Sequence, residues 1–432
     1  MNRIVLIGNG FDIAHEMPTK YANFIDDYYR KLSQEALKVR NTYKDENIEF
    51  RTNIQTIAHV LGGCEINSFK ELKEKIESFN YSYPSASAKI TFTNELLESI
   101  TYELSDQKRW VDIEEIYFNQ LKKITDLINP QAHEETAELL NNNLKQIEKY
   151  LESYLIDVEE KNTYNSLNPQ IKEKIYSKFK IKDFSLSSIK SIKEDIKNKI
   201  DIAFDKKKTN YTENMISDYQ KAYNDLFFDL DEISGFISSH SKIQIDREKK
   251  LSQSIDKGRI PDFFMVPENL LILNFNYTHT EERYIIPSPI INVIHIHGEI
   301  KNSNNPIIFG YGDELGDDYH HLENINNNEF LKNMKSVRYL ETDNYRKLLN
   351  FIESDLYQVF ILGHSCGISD RTLLNTLFEH KNCSSIKPYY HKINDSEDNY
   401  SDIVRSISRN FTNKILMRDR VVNKMFCEPL IE

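Results

Sequence analysis

Two apolar patterns alternate along this chain. Ile4 to Ile7 are four consecutive aliphatics that stop at Gly8-Asn9-Gly10. Such a run, bounded by glycine, predicts a buried, parallel strand followed by a tight turn. From about Thr19 to Asp256 the spacing becomes three-and-four. Trp110, Ile113, Tyr117, Leu121, Ile124 and Ile128 form one stripe, and Leu140, Leu144, Ile147, Leu151, Tyr154, Leu155 and Val158 a second. A third runs through Tyr219, Tyr223, Leu226, Leu230, Ile233 and Ile237. Each predicts a helix burying one face against other helices. After Pro261 the runs shorten again: Leu270–Phe275, Ile290–Ile296, Ile307–Gly310, Gln358–Gly363 and Ser385–Tyr390 read as strands. The strand at Ile4 has no strand neighbour in sequence until Leu270. The predicted architecture is therefore one α/β domain from residues 1–18 and 262–432, with a Rossmann-like parallel sheet. A large all-helical insertion, residues 19–261, falls between the first and second strands.

Composition narrows the setting. The chain has 432 residues, enough for two or three domains, and its 39% apolar and 28% charged content fits a globular protein. No apolar run approaches the roughly eighteen residues of a membrane helix, and the N-terminus reads as a strand rather than a signal peptide. A cytoplasmic protein without membrane contact is expected. Cys64, Cys366, Cys383 and Cys427 are scattered, which argues against a disulfide framework or a thiolate zinc site. A net charge of −12 disfavours general binding to nucleic acid. One local exception is Lys172 to Lys208, with twelve lysines against six acids and Tyr176, Phe179 and Phe184 among them. A nucleic-acid contact would need a flat basic cluster with such aromatics interleaved. The stretch is read as a solvated helical face.

Candidate chemistry gathers at four strand ends: Gly8-Asn9-Gly10-Phe11-Asp12, Asn274-Phe275-Asn276-Tyr277-Thr278, His295-Ile296-His297-Gly298 and Gly363-His364-Ser365-Cys366-Gly367-Ile368-Ser369-Asp370. In a parallel sheet these ends share one edge, where open α/β sheets bind ligands. Amides, hydroxyls and imidazoles with few fixed positive charges suit a ribose or base better than a bare phosphate. His295 and His297 alternate and are expected on one face of their strand. A metal pair would need a third ligand that the spacing does not identify, and no metal is predicted. His297 at a strand end is placed to act as a general acid or base. Asn276 would orient a water or a ribose hydroxyl, or belong to a turn in which Thr278 caps a helix. Cys366 is expected to line the pocket rather than act as a nucleophile, because no base is placed beside it.

Gly8-Asn9-Gly10-Phe11-Asp12-Ile13-Ala14-His15, followed by Pro18-Thr19 and Tyr21, resembles the opening signature of the bacterial abortive-infection proteins called AbiH. Trp110 with Asp112 and Glu114, then Asn274 to Thr278, Ile296-His297-Gly298, Phe309-Gly310-Tyr311-Gly312-Asp313-Glu314 and Gly363-His364-Ser365 to Asp370 match the rest in order. The same motif order is more distantly similar to the sirtuin-like NAD-binding fold of antiphage effectors. That resemblance implies NAD or a related nucleotide as ligand and substrate, with Asn276 and His297 as catalytic residues. Gly8, Asn9, Gly10, Phe11, Asp12, Tyr277, Gly363, His364, Ser365 and Asp370 would then line the binding site. Phe11 and Asp12 stand where sirtuin-like turns carry a small residue, and Thr278 where they carry an aspartate. A carboxylate there repels pyrophosphate, so Asp12 is expected on ribose hydroxyls.

The expected function is phage defence by nucleotide hydrolysis, NAD glycohydrolase-like, in a homo-oligomer that answers a phage-derived trigger. Two other readings remain open. One is a metal-dependent nuclease or phosphohydrolase using Asp12, Asp313, Glu314 and Asp370. The other is a non-catalytic nucleotide-binding sensor.

Overall fold

The computed structural model describes residues 1–106, 112–127, 130–162, 167–205, 223, 228–240 and 246–432. Eight strands are present among them. Five form a wholly parallel sheet: β1 Asn2–Ile7, β5 Leu270–Asn274, β6 Ile291–His295, β7 Tyr357–Leu362 and β8 Cys383–Tyr389, in the order β6-β5-β1-β7-β8. Every residue of β1, β5, β7 and β8 is buried, as a sheet covered on both faces requires. The first strand does pair with Leu270–Asn274, across an insertion of more than 200 residues, as the sequence pattern predicted. Going outward from β1, the chain order runs one way to β6 and the other way to β8. β1 and β7 thus flank the point where the order reverses, the position at which open α/β sheets form a crevice.

The insertion is not all-helical. β2 Thr42–Lys44, β3 Ile48–Thr52 and β4 Ala88–Phe92 form an antiparallel sheet within it. Asp45 closes the β2–β3 turn, its Oδ1 accepting from the Asn47 and Ile48 amides at 2.8 Å each. Only Ile48, Phe50 and Thr52 face inward on β3, an alternation too short to stand out in a helical, polar stretch. The expected strand at Ile307–Gly310 is also absent. Those residues form a buried, irregular segment, and Tyr311 makes a single bridge to Met334.

Two compact units result: residues 1–15, 165–297 and 342–432, and residues 16–164 and 298–341. The division differs from boundaries at 18 and 261. Val5, Ile7, Leu270, Ile272, Phe360 and Leu362, alternate residues of three adjacent strands, share one core with the helices Pro169–Ile175, Leu186–Asp205, Leu230–Ser239 and Arg247–Asp256. Those helices cover the parallel sheet and belong to its unit. Arg3 lies on the same face with no exposure. It donates to the Ile175 and Ser177 carbonyls and to Gln358 Oε1, and its guanidinium lies 4.1 Å from the Phe360 ring centre. Burial lowers its pKa to about 10, which leaves it charged at neutral pH.

The basic stretch is not a bare patch in its described part. Lys178 pairs with Asp262, Lys180 with Glu428, Lys193 with Asp256, Lys197 with Glu248 and Lys199 with Glu268. Tyr176, Phe179 and Phe184 are buried in the core, so none is presented for stacking on a base. Among the described residues no helix is long and apolar enough to cross a membrane.

In the second unit, the helices Tyr21–Ala36, Glu95–Asp106 and Ile113–Ile124 pack on Pro130–Lys161. The second apolar stripe is buried throughout. Trp110, Ile128, Tyr219 and Leu226, from the other two stripes, lie outside the described residues. Glu114 shows what the Asp112–Glu114 and Phe309–Glu314 motifs do here. Asp112 Oδ1 caps its helix by accepting from the Glu114 amide, and Glu114 Oε1 accepts from the Gly310 amide at 3.2 Å. Glu114 Oε2 receives the Lys335 ammonium at 2.7 Å with both side chains buried, and Phe118 stacks on Tyr311 at 3.8 Å. Glu114→Gln leaves the Lys335 ammonium buried without its carboxylate and is expected to destabilise this unit by about 3–5 kcal/mol in urea unfolding. Glu114→Gln with Lys335→Met should recover most of that loss.

Candidate active site at the carboxyl edge of the parallel sheet

The first and fourth strand ends meet at a distance no side chain could tolerate. Gly10 N donates to Gly363 O at 2.8 Å, and Gly8 N donates to Leu362 O at 3.3 Å. A Cβ on Gly8 would lie 2.6 Å from His364 Cα, and one on Gly10 2.8 Å from Gly363 Cα. Gly363 has φ +75°, and a Cβ there would lie 2.1 Å from the Phe11 amide nitrogen. The glycines of the opening turn therefore serve chain-on-chain contact. Residues 9–13 form only a five-residue helix.

The other two strand ends are tied to this contact. Phe275 N donates to Ile7 O at 2.9 Å, and Asn276 Nδ2 donates to Gly8 O at 3.1 Å. Asn274 is buried and donates from Nδ2 to Glu281 Oε2 at 2.7 Å. His295 Nε2 lies 2.9 Å from Glu281 Oε1. His297 lies beyond the end of β6, and its Nε2 sits 3.1 Å from Asp370 Oδ1. The two histidines are thus directed to different carboxylates rather than paired on one strand face. His364 Nε2 approaches the other oxygen of Asp370 at 3.6 Å. The Phe275 ring lies against both imidazoles, with centroids 5.0 Å from His297 and 4.2 Å from His364.

Asp12 behaves unlike a surface carboxylate. It is buried, Thr278 Oγ1 donates to its Oδ2 at 2.6 Å, and its Oδ1 has no hydrogen-bond partner among the described residues. Burial raises its pKa to about 6, against the opposing hydrogen bond from Thr278. Thr278 therefore holds Asp12 and caps no helix. Phe11 is fully buried against His15 and Tyr284, which makes it a core residue of the turn rather than a surface for a ligand. Burial lowers the pKa of His15, whose ring nitrogens face the Phe11 carbonyl and the Tyr284 hydroxyl. Asn9, Gly10, Tyr277 and Gly363 are half-buried, and Ser365 is exposed. Cys366 is buried with φ +54°, and burial pushes its thiol far above the usual range, which disfavours the thiolate.

Sequence reasoning did not find Glu281, which holds both Asn274 and His295. It sits in the polar run Thr280-Glu281-Glu282-Arg283, and only folding makes it 1% exposed while Glu282 faces solvent. Of the acids named for a metal site, Asp12 and Asp370 lie in the sheet unit and take different partners, whereas Asp313 and Glu314 belong to the other unit. Three acids of the sheet unit that do stand close together are Asp195, Glu268 and Asp355. The Met1 ammonium reaches all three, and Lys199 reaches Asp195 and Glu268.

The arrangement defines an α/β protein with buried amide, imidazole and carboxylate groups gathered where strand order reverses. The model of the family described as bacteriophage abortive infection AbiH matches residues 4–391, and the chain belongs to that family. Abortive-infection defence against phage is therefore the biological setting of the fold. No curated protein and no solved structure matches the chain significantly.

Two measurements test this geometry. Gly363→Ala should cost about 3 kcal/mol or more in denaturant unfolding, because strain at positive φ is added to collision with the Phe11 backbone. Gly63→Ala, at φ +70° with nothing within 4 Å of the new Cβ, should cost only about 1–2 kcal/mol. The Asp12 carboxyl holds its proton to higher pH in the native state than in the unfolded chain. Its contribution to stability is present at low pH and is lost as pH rises through about 6. Relative to wild type, Asp12→Asn should gain up to ~3 kcal/mol between pH 4 and 7.5, read from unfolding curves at each pH.

Proposed function

We propose that this protein hydrolyses NAD or a closely related nucleotide during phage infection, with His297 as the base and Asn276 as the water- and ribose-orienting amide. The finer fold assignment proposed with it is sirtuin-like and Rossmann-like. The observation that carries the reading is the pairing of His297 with the buried Asp370 carboxylate at the carboxyl edge of the parallel sheet, the edge on which the Asn276 amide is held by Gly8 O. In the reaction the C1′–N bond to nicotinamide breaks and its electron pair leaves with the ring, while water oxygen bonds to C1′. The proton lost by that water passes to His297. Nicotinamide is cationic while attached, so its departure needs no strong acid, unlike the alkoxide of an ordinary glycoside. A positioned base supplies roughly 10²- to 10⁴-fold in rate.

The ligand would lie along the strand-end residues that remain accessible, half-buried Asn9 and Tyr277 and exposed Ser365. Asp12 faces ribose hydroxyls in this reading, since a carboxylate disfavours pyrophosphate at that turn. His297 is 4% exposed and Asp370 8% exposed, so turnover requires the strand-end loops to part. A phage-derived trigger acting on the chain, in a homo-oligomer, is proposed as the cause. The closed site then explains how a toxic hydrolase stays silent in an uninfected cytoplasm.

The test is made in infected cells, where the trigger is present. Cellular NAD and phage titre are followed for wild type, His297→Ala and Asn276→Ala. NAD should fall after infection only with wild type, and both variants should lose at least 100-fold of the initial rate and the protection with it. Protection that survives His297→Ala removes the reading. Protection by wild type with no change in NAD, ADP-ribose or ATP favours a nucleotide-binding sensor instead.

A further inference from the structure

The segment after β7 holds a carboxylate in an unusual position. Asp370 is the residue before the helix Arg371–Glu379, where an aspartate ordinarily accepts hydrogen bonds from the first amides of the helix. Its side chain makes no capping hydrogen bond there. It is turned inward instead, 8% exposed, with Oδ1 3.1 Å from His297 Nε2 and Oδ2 3.6 Å from His364 Nε2. A helix start has given up its cap to place one carboxylate between two imidazoles.

The protons on those rings follow from donor and acceptor chemistry. The Cys366 amide donates to His364 Nδ1 at 3.0 Å, so Nδ1 carries the lone pair and the proton of neutral His364 is on Nε2, facing Asp370. A carboxylate only accepts, so the His297 nitrogen that faces it carries a hydrogen too, and in the neutral ring that nitrogen is Nε2. The two rings differ in what fixes them. His364 is held by the Cys366 amide, its Nε2 faces Asp370 across 3.6 Å, and Gly8 lies against its Cα and Cδ2. The Phe275 ring packs against both imidazoles, at 83° to His297 and 60° to His364.

We propose that Asp370 is a positioning residue that fixes the Nε2–H tautomer and ring orientation of His297, with His364 as its second anchor rather than a ligand contact. The catalytic meaning rests on the reading of His297 as base, whereas the tautomer assignment stands without it. With Nε2–H held by the carboxylate, the lone pair of neutral His297 is on Nδ1, and protonation there gives an imidazolium that the same carboxylate stabilises.

The experiment is ring ¹H–¹⁵N correlation spectroscopy on the full chain labelled at histidine, with His297→Gln and His364→Gln assigning the two signals. Wild type should show both rings protonated at Nε2. In Asp370→Asn, whose amide can donate to a ring nitrogen, His297 should shift towards the Nδ1–H form. His364 should keep Nε2–H, because Cys366 still donates to its Nδ1. Asp370→Glu should retain the wild-type pattern at His297, and it serves as the comparison if Asp370→Asn fails to fold, with Asp370→Ala expected to lose the single tautomer. A purely structural aspartate would alter both rings together or neither. In infected cells Asp370→Asn should lower the rate of nucleotide loss roughly 10- to 100-fold, the size of effect expected of an orienting partner. Wild-type His297 protonated at Nδ1, or a His297 tautomer unchanged in both Asp370→Asn and Asp370→Ala, overturns the proposal. Correct tautomers in a protein whose protection survives His297→Ala would instead reject hydrolysis and leave the positioning role intact.

Discussion

The backbone of the opening turn and the backbone after β7 touch with only hydrogens between them, and the candidate site is built around that contact. Gly10 N and Gly363 O are hydrogen-bonded, and three missing Cβ atoms make the approach possible. Once the two turns are locked, the remaining pieces have little freedom. Gly8 O receives the Asn276 amide, Ile7 O receives the Phe275 amide, and His364 is pressed against Gly8. Asp370 follows six residues after the end of the close approach at His364 and meets His297 from the neighbouring part of the edge. A glycine-rich strand end is often read as a phosphate cradle. Here the space a phosphate would use at Gly8 and Gly10 is taken by the chain itself.

Burial sets the electrostatic character of the edge. Asp12 lies in a place that favours its neutral form, and Cys366 is kept as a thiol by the same desolvation. Carboxylates that remain useful there are those matched with imidazoles: Glu281 with His295 and Asp370 with His297 and His364. Polar groups in a low-dielectric interior must be satisfied or they cost stability, which makes such a network rigid. The unpaired Oδ1 of Asp12 is an exception, and exceptions of this kind concentrate at functional sites.

Much of the sheet was legible before folding, because strands buried on both faces need unbroken apolar runs and parallel strands need turn residues at their ends. Ile4–Ile7, Leu270–Asn274 and Gln358–Leu362 fall inside observed strands. Ile307–Gly310 has the same composition and forms none, because the Gly310 amide bonds Glu114 and a Cβ there would meet the Asn333 carbonyl at 1.9 Å. β2 to β4 escaped notice because β3 and β4 pair across a separation of about forty residues and each alternates over only five residues. Lys172 to Lys208 looked solvated and basic, and in its described part Lys178, Lys180, Lys193, Lys197 and Lys199 are paired with acids distant in sequence.

The sequence by itself determined the α/β class, the discontinuous parallel sheet, the helical stripes within Ile113–Ile124 and Pro130–Lys161 and membership of the AbiH family, because local periodicity and motif order carry those properties. Tertiary structure alone decided which polar residues became neighbours. Glu281 and Glu282 are equivalent in the chain, yet one is buried against Asn274 and His295 and the other is exposed. His295 and His297 share a motif, yet the strand ends between them and each takes its own carboxylate. The reason is the same in both cases. Burial and pairing of charge depend on where distant backbone segments pack, and here that packing is set by the contact between Gly8, Gly10 and Gly363.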